Sequence, residues 1–332
     1  MKSSIRNRSL GVLLGTVAAL SALTSVAKAE DIEVAYLSAS SANTWLAASL
    51  VEMKKIAEAN GIKLTEFDAQ FDPAKQTAQA QDLVASGKYK GVIYVALTGA
   101  GAIPDVQAAL DAGLVVVGLN QVIGADLKTS DPQVEGMAAS VMVAPYNSGV
   151  RLGKLTLKAC ENVDPCNVAY LFGIKGIPLD VAIRQGFDDT IAGQKNVAVV
   201  AEGEGKYLGP DGGIAATQAI LQLNKPFQVM VGADQSIQGS AIALNDAGIA
   251  PGTIKLIGFG GSAPALAGVA DGSWYGDLFG APGDEGRLAM QAMVDALKSG
   301  KKSGGIDPLT TTPDEGLITK ENVTKFTAQW NG

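Results

Sequence analysis

The chain has 332 residues, 47% of them hydrophobic, with 26 Lys and Arg against 33 Asp and Glu, a formal net charge of −7 and no histidine. The acidic balance argues against nucleic acid or anionic lipid as a partner, and without histidine a Ser- or Cys-based catalytic triad of the usual form cannot be built. A single hydrophobic core stops growing near roughly 250–300 residues, so two domains are expected.

In chain order, the first segment reads as a leader. Lys2, Arg6 and Arg8 precede an apolar run from Leu10 to Ala22, and Ala27-Lys28-Ala29 closes it. A basic start, a short apolar stretch and an A-x-A pattern make a secretory signal peptide over residues 1–29, cleaved after Ala29. Gly11, Gly15 and Thr16 weaken the alternative of a membrane anchor. No cysteine stands near the cleavage site to take a lipid, so the exported product is expected free in solution and monomeric.

Beyond Glu30, short β-branched apolar runs alternate with stretches of helical period. Ile32–Leu37, Gly91–Ala96, Leu114–Leu119, Asn167–Phe172, Asn196–Ala201, Phe227–Val231 and Ile254–Phe259 read as buried strands. In Asn43–Asn60, Leu46, Leu50, Met53 and Ala57 fall on one helical face, and Gly61 ends the helix. Asp72-Pro73 opens another helix with a cap and a first-position proline. Further helices are expected over Asn147–Lys158, Leu179–Ala192, Gly213–Leu223, Ser236–Ala247 and Asp284–Leu297. Nearly continuous apolar strands between helices mean parallel sheets covered on both faces.

The alternation runs from Ile32 to about Gln121 and restarts near Asn167, with the irregular stretch Ile123–Val143 read as an edge segment leading to an interdomain crossing. The expected architecture is two doubly wound parallel-sheet α/β domains joined by three crossings, near Val143–Asn147, Gly280–Pro282 and Lys301–Gly305. The first domain takes 30–143 plus 281–305, the second 144–280 plus 306–332. In such sheets ligands bind outside the strand carboxyl ends, so the site is expected in the cleft between the domains. Cys160 and Cys166 are the two cysteines. In an exported chain a close pair is most simply a disulfide; a metal site is the alternative, but no histidine could complete a usual zinc set. No metal or cofactor is expected.

Several ordered patterns carry a family resemblance. They are Ser40-Ser41-Ala42-Asn43-Thr44-Trp45 after the first strand, Gly91-Val92-Ile93-Tyr94-Val95, Ala112-Gly113-Leu114-Val115-Val116-Val117, Ala182-Ile183-Arg184-Gln185-Gly186-Phe187, Val231-Gly232-Ala233-Asp234 and Ile257-Gly258-Phe259-Gly260-Gly261. Together they resemble the periplasmic sugar-binding family related to ribose-binding protein, with its type I periplasmic binding fold. The resemblance implies a periplasmic protein that captures a sugar or polyol between hinged domains and docks on an ABC importer permease in the inner membrane. A chemoreceptor is the alternative partner, for a binding protein that senses a sugar-like signal.

A sugar site needs forked donors, carboxylate or amide acceptors and flat aromatic faces. The resemblance places Asn43, Trp45 and Asn120 on the first domain's side of the cleft and Asn147, Arg184 and Asp234 on the second's. Trp45 would stack on the ligand, with core packing as its alternative; Asn43 and Asn147 double as helix caps. Arg184 and Asp234 would hold hydroxyls, Asp234 also orienting Arg184; Arg184 is otherwise a surface helix charge. Asn120-Gln121 stands where the family commonly has Asp-Arg. Gly260 and Gly280 stand where the family commonly has a carboxylate and a glutamine, with Tyr207 and Phe279 as candidates to fill that space. An enzyme is disfavoured, because Ala39-Ser40-Ser41-Ala42 is no phosphate-cradling glycine loop. A repressor with this sensor fold would carry a helix-turn-helix where the leader stands.

Overall fold

The computed structural model describes residues 32–332, so the leader and its cleavage after Ala29 lie outside the described residues. From the start, β1 (Ile32–Ser38), α1 (Thr44–Ala59), β2 (Ile62–Asp68), α2 (Pro73–Ser86), β3 (Gly91–Tyr94), α3 (Ile103–Asp111), β4 (Val115–Leu119) and β5 (Ala139–Val141) build a first lobe. The second lobe follows as α4 (Pro145–Ala159), β6 (Cys166–Phe172), α5 (Pro178–Ile191), β7 (Val197–Glu204), α6 (Pro210–Gln222), β8 (Val229–Ala233), α7 (Asp234–Asp246), β9 (Lys255–Phe259), α8 (Ala263–Asp271) and β10 (Gly276–Leu278). The chain then returns to the first lobe as α9 (Pro282–Ser299) and β11 (Gly304–Ile306), and ends in the second with β12 (Leu317–Thr319).

Each lobe is one six-stranded sheet, ordered β11-β5-β4-β3-β1-β2 and β12-β10-β9-β8-β6-β7. The pairings are parallel except β10 with β12. Successive strand residues point to opposite faces, and helices cover both. In the first sheet Tyr36, Ile93 and Val117 pack with Met53 of α1 and Met293 of α9. Leu37, Val92 and Val116 pack on the other face with Leu83 of α2 and Val106 of α3. The second sheet repeats the arrangement, with Tyr170, Val231 and Ile257 against Leu155 and Phe187 on one face. Leu171, Met230 and Leu256 meet Ile220 and Val269 on the other.

Five strands escape the sequence reading. The edge strand β2 alternates apolar and polar residues, and only Ile62 in it is fully buried. The strands β5, β10, β11 and β12 have three residues each, too few for periodicity to show. The stretch Ile123–Val143, read as irregular, therefore contains β5. The crossings run through 142–144, 279–281 and 307–316. The third lies later than Lys301–Gly305 because Gly304–Ile306 still pairs with β5. Cys160 and Cys166 are bonded, Cα to Cα 5.7 Å, tying the end of α4 to the start of β6. Both are buried in the core of the second lobe.

Candidate functional site

The carboxyl ends of both sheets face one cavity of about 130 Å³. A single water needs roughly 10–15 Å³ on this scale, so the space suits a ligand displacing on the order of ten waters. The first lobe lines it with residues just beyond β1 and β4, among them Asn43, Trp45, Asn120 and Gln121. The second lobe supplies Ala233, Phe259 and Phe279 from the ends of β8, β9 and β10.

The three residues expected from the first lobe all reach the cavity wall. Asn43 caps α1, its Oδ1 accepting the Leu46 amide at 2.9 Å, and its Nδ2 donates to the Tyr207 carbonyl of the other lobe at 3.1 Å. The Trp45 indole N–H donates to Glu285 Oε2 at 2.9 Å, and its ring meets Trp330 edge-on at 5.3 Å. Asn120 has φ 64°, in the left-handed region, and its Nδ2 donates to the same Glu285 oxygen at 3.1 Å.

The second lobe is arranged otherwise than expected. Helix α4 starts at Pro145, so Asn147 lies inside its first turn and not at its cap, and its side chain is exposed. The helix face toward the cavity carries Ser148 and Arg151, three residues apart. Arg184 is outside the lining: its Nε donates to both oxygens of Asp188 at 2.8 Å and its Nη1 to Glu202 at 2.6 Å, over the Tyr170 and Phe172 rings. The i,i+4 spacing to Asp188 on α5 and the proximity of β7 satisfy its fork without a ligand. Asp234 is fully buried behind the wall, accepting the Ser262 amide at 2.7 Å. Its neighbour is Asp277, not Arg184; Asp277 accepts the Gly261 amide at 2.9 Å, and burial and the adjacent Asp234 push its carboxyl well above the usual range. The pair anchors the turn before α8.

Gly260 and Gly280 leave room for tryptophan. A Cβ at Gly280 would lie 2.5 Å from Trp45 Cζ3, and one at Gly260 would lie 2.6 Å from Trp330 Cζ2. The Trp330 indole N–H also donates to the Gly260 carbonyl at 2.7 Å. Tyr207 and Phe279 do line the cavity, but Tyr207 sends its hydroxyl to Asp180 at 3.0 Å, and Phe279 packs on Phe326. The space opposite the two glycines belongs to Trp45 and Trp330.

Among the lining residues outside the sequence expectations, Trp330, Glu285 and Arg151 matter most. Trp330 comes from the far end of the chain, with no local motif around it. Glu285 stands in the first turn of α9, directly after the second crossing; that position was the signal that could have found it. It is 3% exposed. Burial pushes its carboxyl up to about 7, against the donors Trp45 and Asn120, which pull it down. Arg151 donates Nη1 to the Glu315 carbonyl at 3.0 Å, and its Nε has no partner. The Glu315 carboxylate goes to Lys154 instead, at 2.7 Å. Burial lowers the Arg151 pKa, while the charges of Asp307 and Glu315 oppose it. The wall thus holds one acid on the first lobe, one guanidinium on the second, a few amides and many aromatic faces.

A family model described as periplasmic binding protein domain matches residues 34–302. The ribose import binding protein of Bacillus subtilis (strain 168) is 29% identical over 253 residues, covering 75% of this chain and 76% of that protein. The D-allose-binding periplasmic protein of Escherichia coli (strain K12) is 26% identical over 284 residues, covering 83% and 88%. Among solved structures, a galactofuranose binding protein superposes with a TM-score of 0.77 at 22% identity, over 89% of this chain and 96% of that one. The Caulobacter myo-inositol binding protein, bound to myo-inositol, gives 0.75 at 21% identity, over 90% and 97%.

Proposed function

The chain belongs to the periplasmic binding protein domain family, and we propose that it captures a small sugar or polyol in the interlobe cavity and delivers it to an ABC importer of the inner membrane. The observation that carries this reading is the cavity itself, at the strand carboxyl ends and lined from both lobes. Flat faces of Trp45, Trp330 and Phe71 suit the C–H faces of a sugar, and the amides of Gln121 and Gln235 suit hydroxyls. The names of the ribose and allose relatives support the ligand class. Those relatives are binding proteins, and we read this chain as a binder and not an enzyme, acting in the periplasm after removal of its leader.

Ligand capture couples to closure because the two lobes contribute different groups. A ligand touching both favours the closed arrangement by its differential affinity. Rotation about the crossings at 142–144, 279–281 and 307–316 is the hinge motion this implies. The Asn43–Tyr207 hydrogen bond and the Trp45–Trp330 contact bridge the lobes already and would tighten with them.

A thermal-shift screen tests the reading with D-ribose, D-allose, myo-inositol and glycerol beside sugar acids and amino acids. A ligand bound only by the folded state stabilises it by about 2.7 kcal/mol at a hundredfold excess over Kd. Stabilisation by a neutral sugar or polyol is expected. Stabilisation by amino acids alone would overturn the ligand class.

A further inference from the structure

On the first lobe Asn43 uses both of its side-chain polar atoms within the protein, and Trp45 and Asn120 use their N–H donors there. The Trp45 indole N–H and the Asn120 amide both donate to one oxygen of Glu285, Oε2, at 2.9 and 3.1 Å. Two donors from separate elements fix this carboxyl in the cavity wall, and the described hydrogen bonds give its Oε1 no protein partner. The two positions that would otherwise offer side-chain acceptors, Gly260 and Gly280, are closed to any side chain by Trp330 and Trp45. Glu285 is the one carboxyl among the described residues lining the cavity, and it stands on the first lobe.

No counter-cation accompanies it among the described residues. Of the elements packed against it, α1 and the end of β4 present the neutral donors Trp45 and Asn120. From β1 comes the Tyr36 phenol, and the segment after β11 presents Asp307, a like charge. Across the cavity, Arg151 likewise has no carboxylate in ion-pair contact, its neighbour Glu315 being held by Lys154. A buried charge without a partner is costly unless hydrogen bonds from a ligand satisfy it. An anionic ligand would meet Glu285 unpaired, and a cationic one would meet Arg151.

Resting on the sugar or polyol reading, we propose that Glu285 is the specificity-determining ligand acceptor of the first lobe, with Trp45 and Asn120 as its positioning residues. The matching ligand is a neutral polyhydroxyl compound that donates hydroxyl hydrogens to Glu285 and accepts from Arg151. A hydroxyl donates best to the ionised carboxylate. Because burial holds Glu285 protonated up to about pH 7, binding below that pH must first release its proton, and affinity falls about tenfold per pH unit there.

The test is calorimetric titration of wild type, Glu285→Gln and Asn120→Gly with D-ribose, D-allose, myo-inositol and the anionic probe D-gluconate, at about pH 8 and about pH 6. Glycine tolerates the positive φ at position 120. Wild type should bind a neutral probe about tenfold more weakly at the lower pH and bind gluconate more weakly than that probe. Glu285→Gln should bind at least tenfold more weakly at the higher pH and lose the pH dependence. Asn120→Gly removes a donor that pulls the carboxyl down, so it should move the pH midpoint of binding upward. Equal affinity of wild type and Glu285→Gln at both pH values, or preference for gluconate, overturns the inference and leaves the binding reading standing. A wild type that binds none of the neutral probes overturns both.

Discussion

Replacing Gly280 with alanine asks one methyl group to enter space that Trp45 occupies. The added Cβ would stand 2.5 Å from Trp45 Cζ3 and 2.7 Å from the Gly260 carbonyl oxygen. Ordinary carbon contacts begin near 3.5 Å, so the ring would have to move by roughly 1 Å. It is not free to do so. Its N–H is held by Glu285 and its edge lies on Trp330, which is itself tied to the Gly260 carbonyl. Inserting a methylene-sized group into such packing costs about 1–3 kcal/mol. At roughly 2 °C per kcal/mol for a protein of this size, the thermal midpoint should fall by about 2–6 °C. Ligand affinity should fall as well, since the displaced indole either enters the cavity or releases Glu285. Thermal unfolding with and without the ligand found by screening measures both effects. An alanine variant with the wild-type midpoint and wild-type affinity would refute the reasoning that these glycines exist to admit the tryptophans.

Arg184→Ala should leave ligand affinity within about twofold of wild type, because Asp188 and Glu202 already use its donors. Arg151→Ala should weaken binding at least about tenfold, as calorimetry on the two variants side by side will show. Replacing Cys160 and Cys166 together by serine should cost about 2 kcal/mol in urea unfolding, the entropy of a short loop. It should leave affinity unchanged, since the bridge lies in the core of the second lobe and not in the cavity wall. Burial pushes the Asp180 carboxyl up to about 6, against the amides of Ile174 and Gly173 and the Tyr207 hydroxyl. The fold therefore keeps a proton there that the unfolded chain releases near its ordinary value. The stability from this group is fully present below about pH 4 and is lost as pH rises through about 6, by up to about 3 kcal/mol. Urea midpoints across that window should decline with pH in wild type and flatten in Asp180→Asn; an unchanged slope would contradict the assignment.

The central strands were legible because helices cover both faces of each sheet, so β1, β3, β4, β6, β8 and β9 read as nearly continuous apolar runs. The edge strand β2 carries Lys63 and Glu66 between its apolar residues, and three-residue strands carry no period at all. The site divides along the same line. Asn43, Trp45 and Asn120 follow directly from strand ends, where topology alone puts them at the cleft. The second lobe's polar groups depend on helix phase. Moving the start of α4 from Asn147 back to Pro145 exposes Asn147 and turns Ser148 and Arg151 inward. Arg184 shows the complementary failure, since Asp188 four residues on was an available partner that a motif match does not weigh.

The glycines at 260 and 280 were visible as departures from the family pattern, but their consequence was not, because it depends on Trp45 and Trp330, residues 285 positions apart in the chain. Two indoles fill the room that side-chain acceptors would need at the strand ends, and the acid that remains comes from the first turn of α9. The carboxyl of the cavity thereby stands not at a second-lobe strand end but at a helix start of the first lobe, beside the second crossing. A carboxyl there stands in the first turn of α9, just after the segment that links the lobes. On the proposed reading a ligand contact with Glu285 is made next to the hinge, so lobe closure should change it less than it changes contacts with Phe71 and Tyr207, which line the cavity from the two lobes.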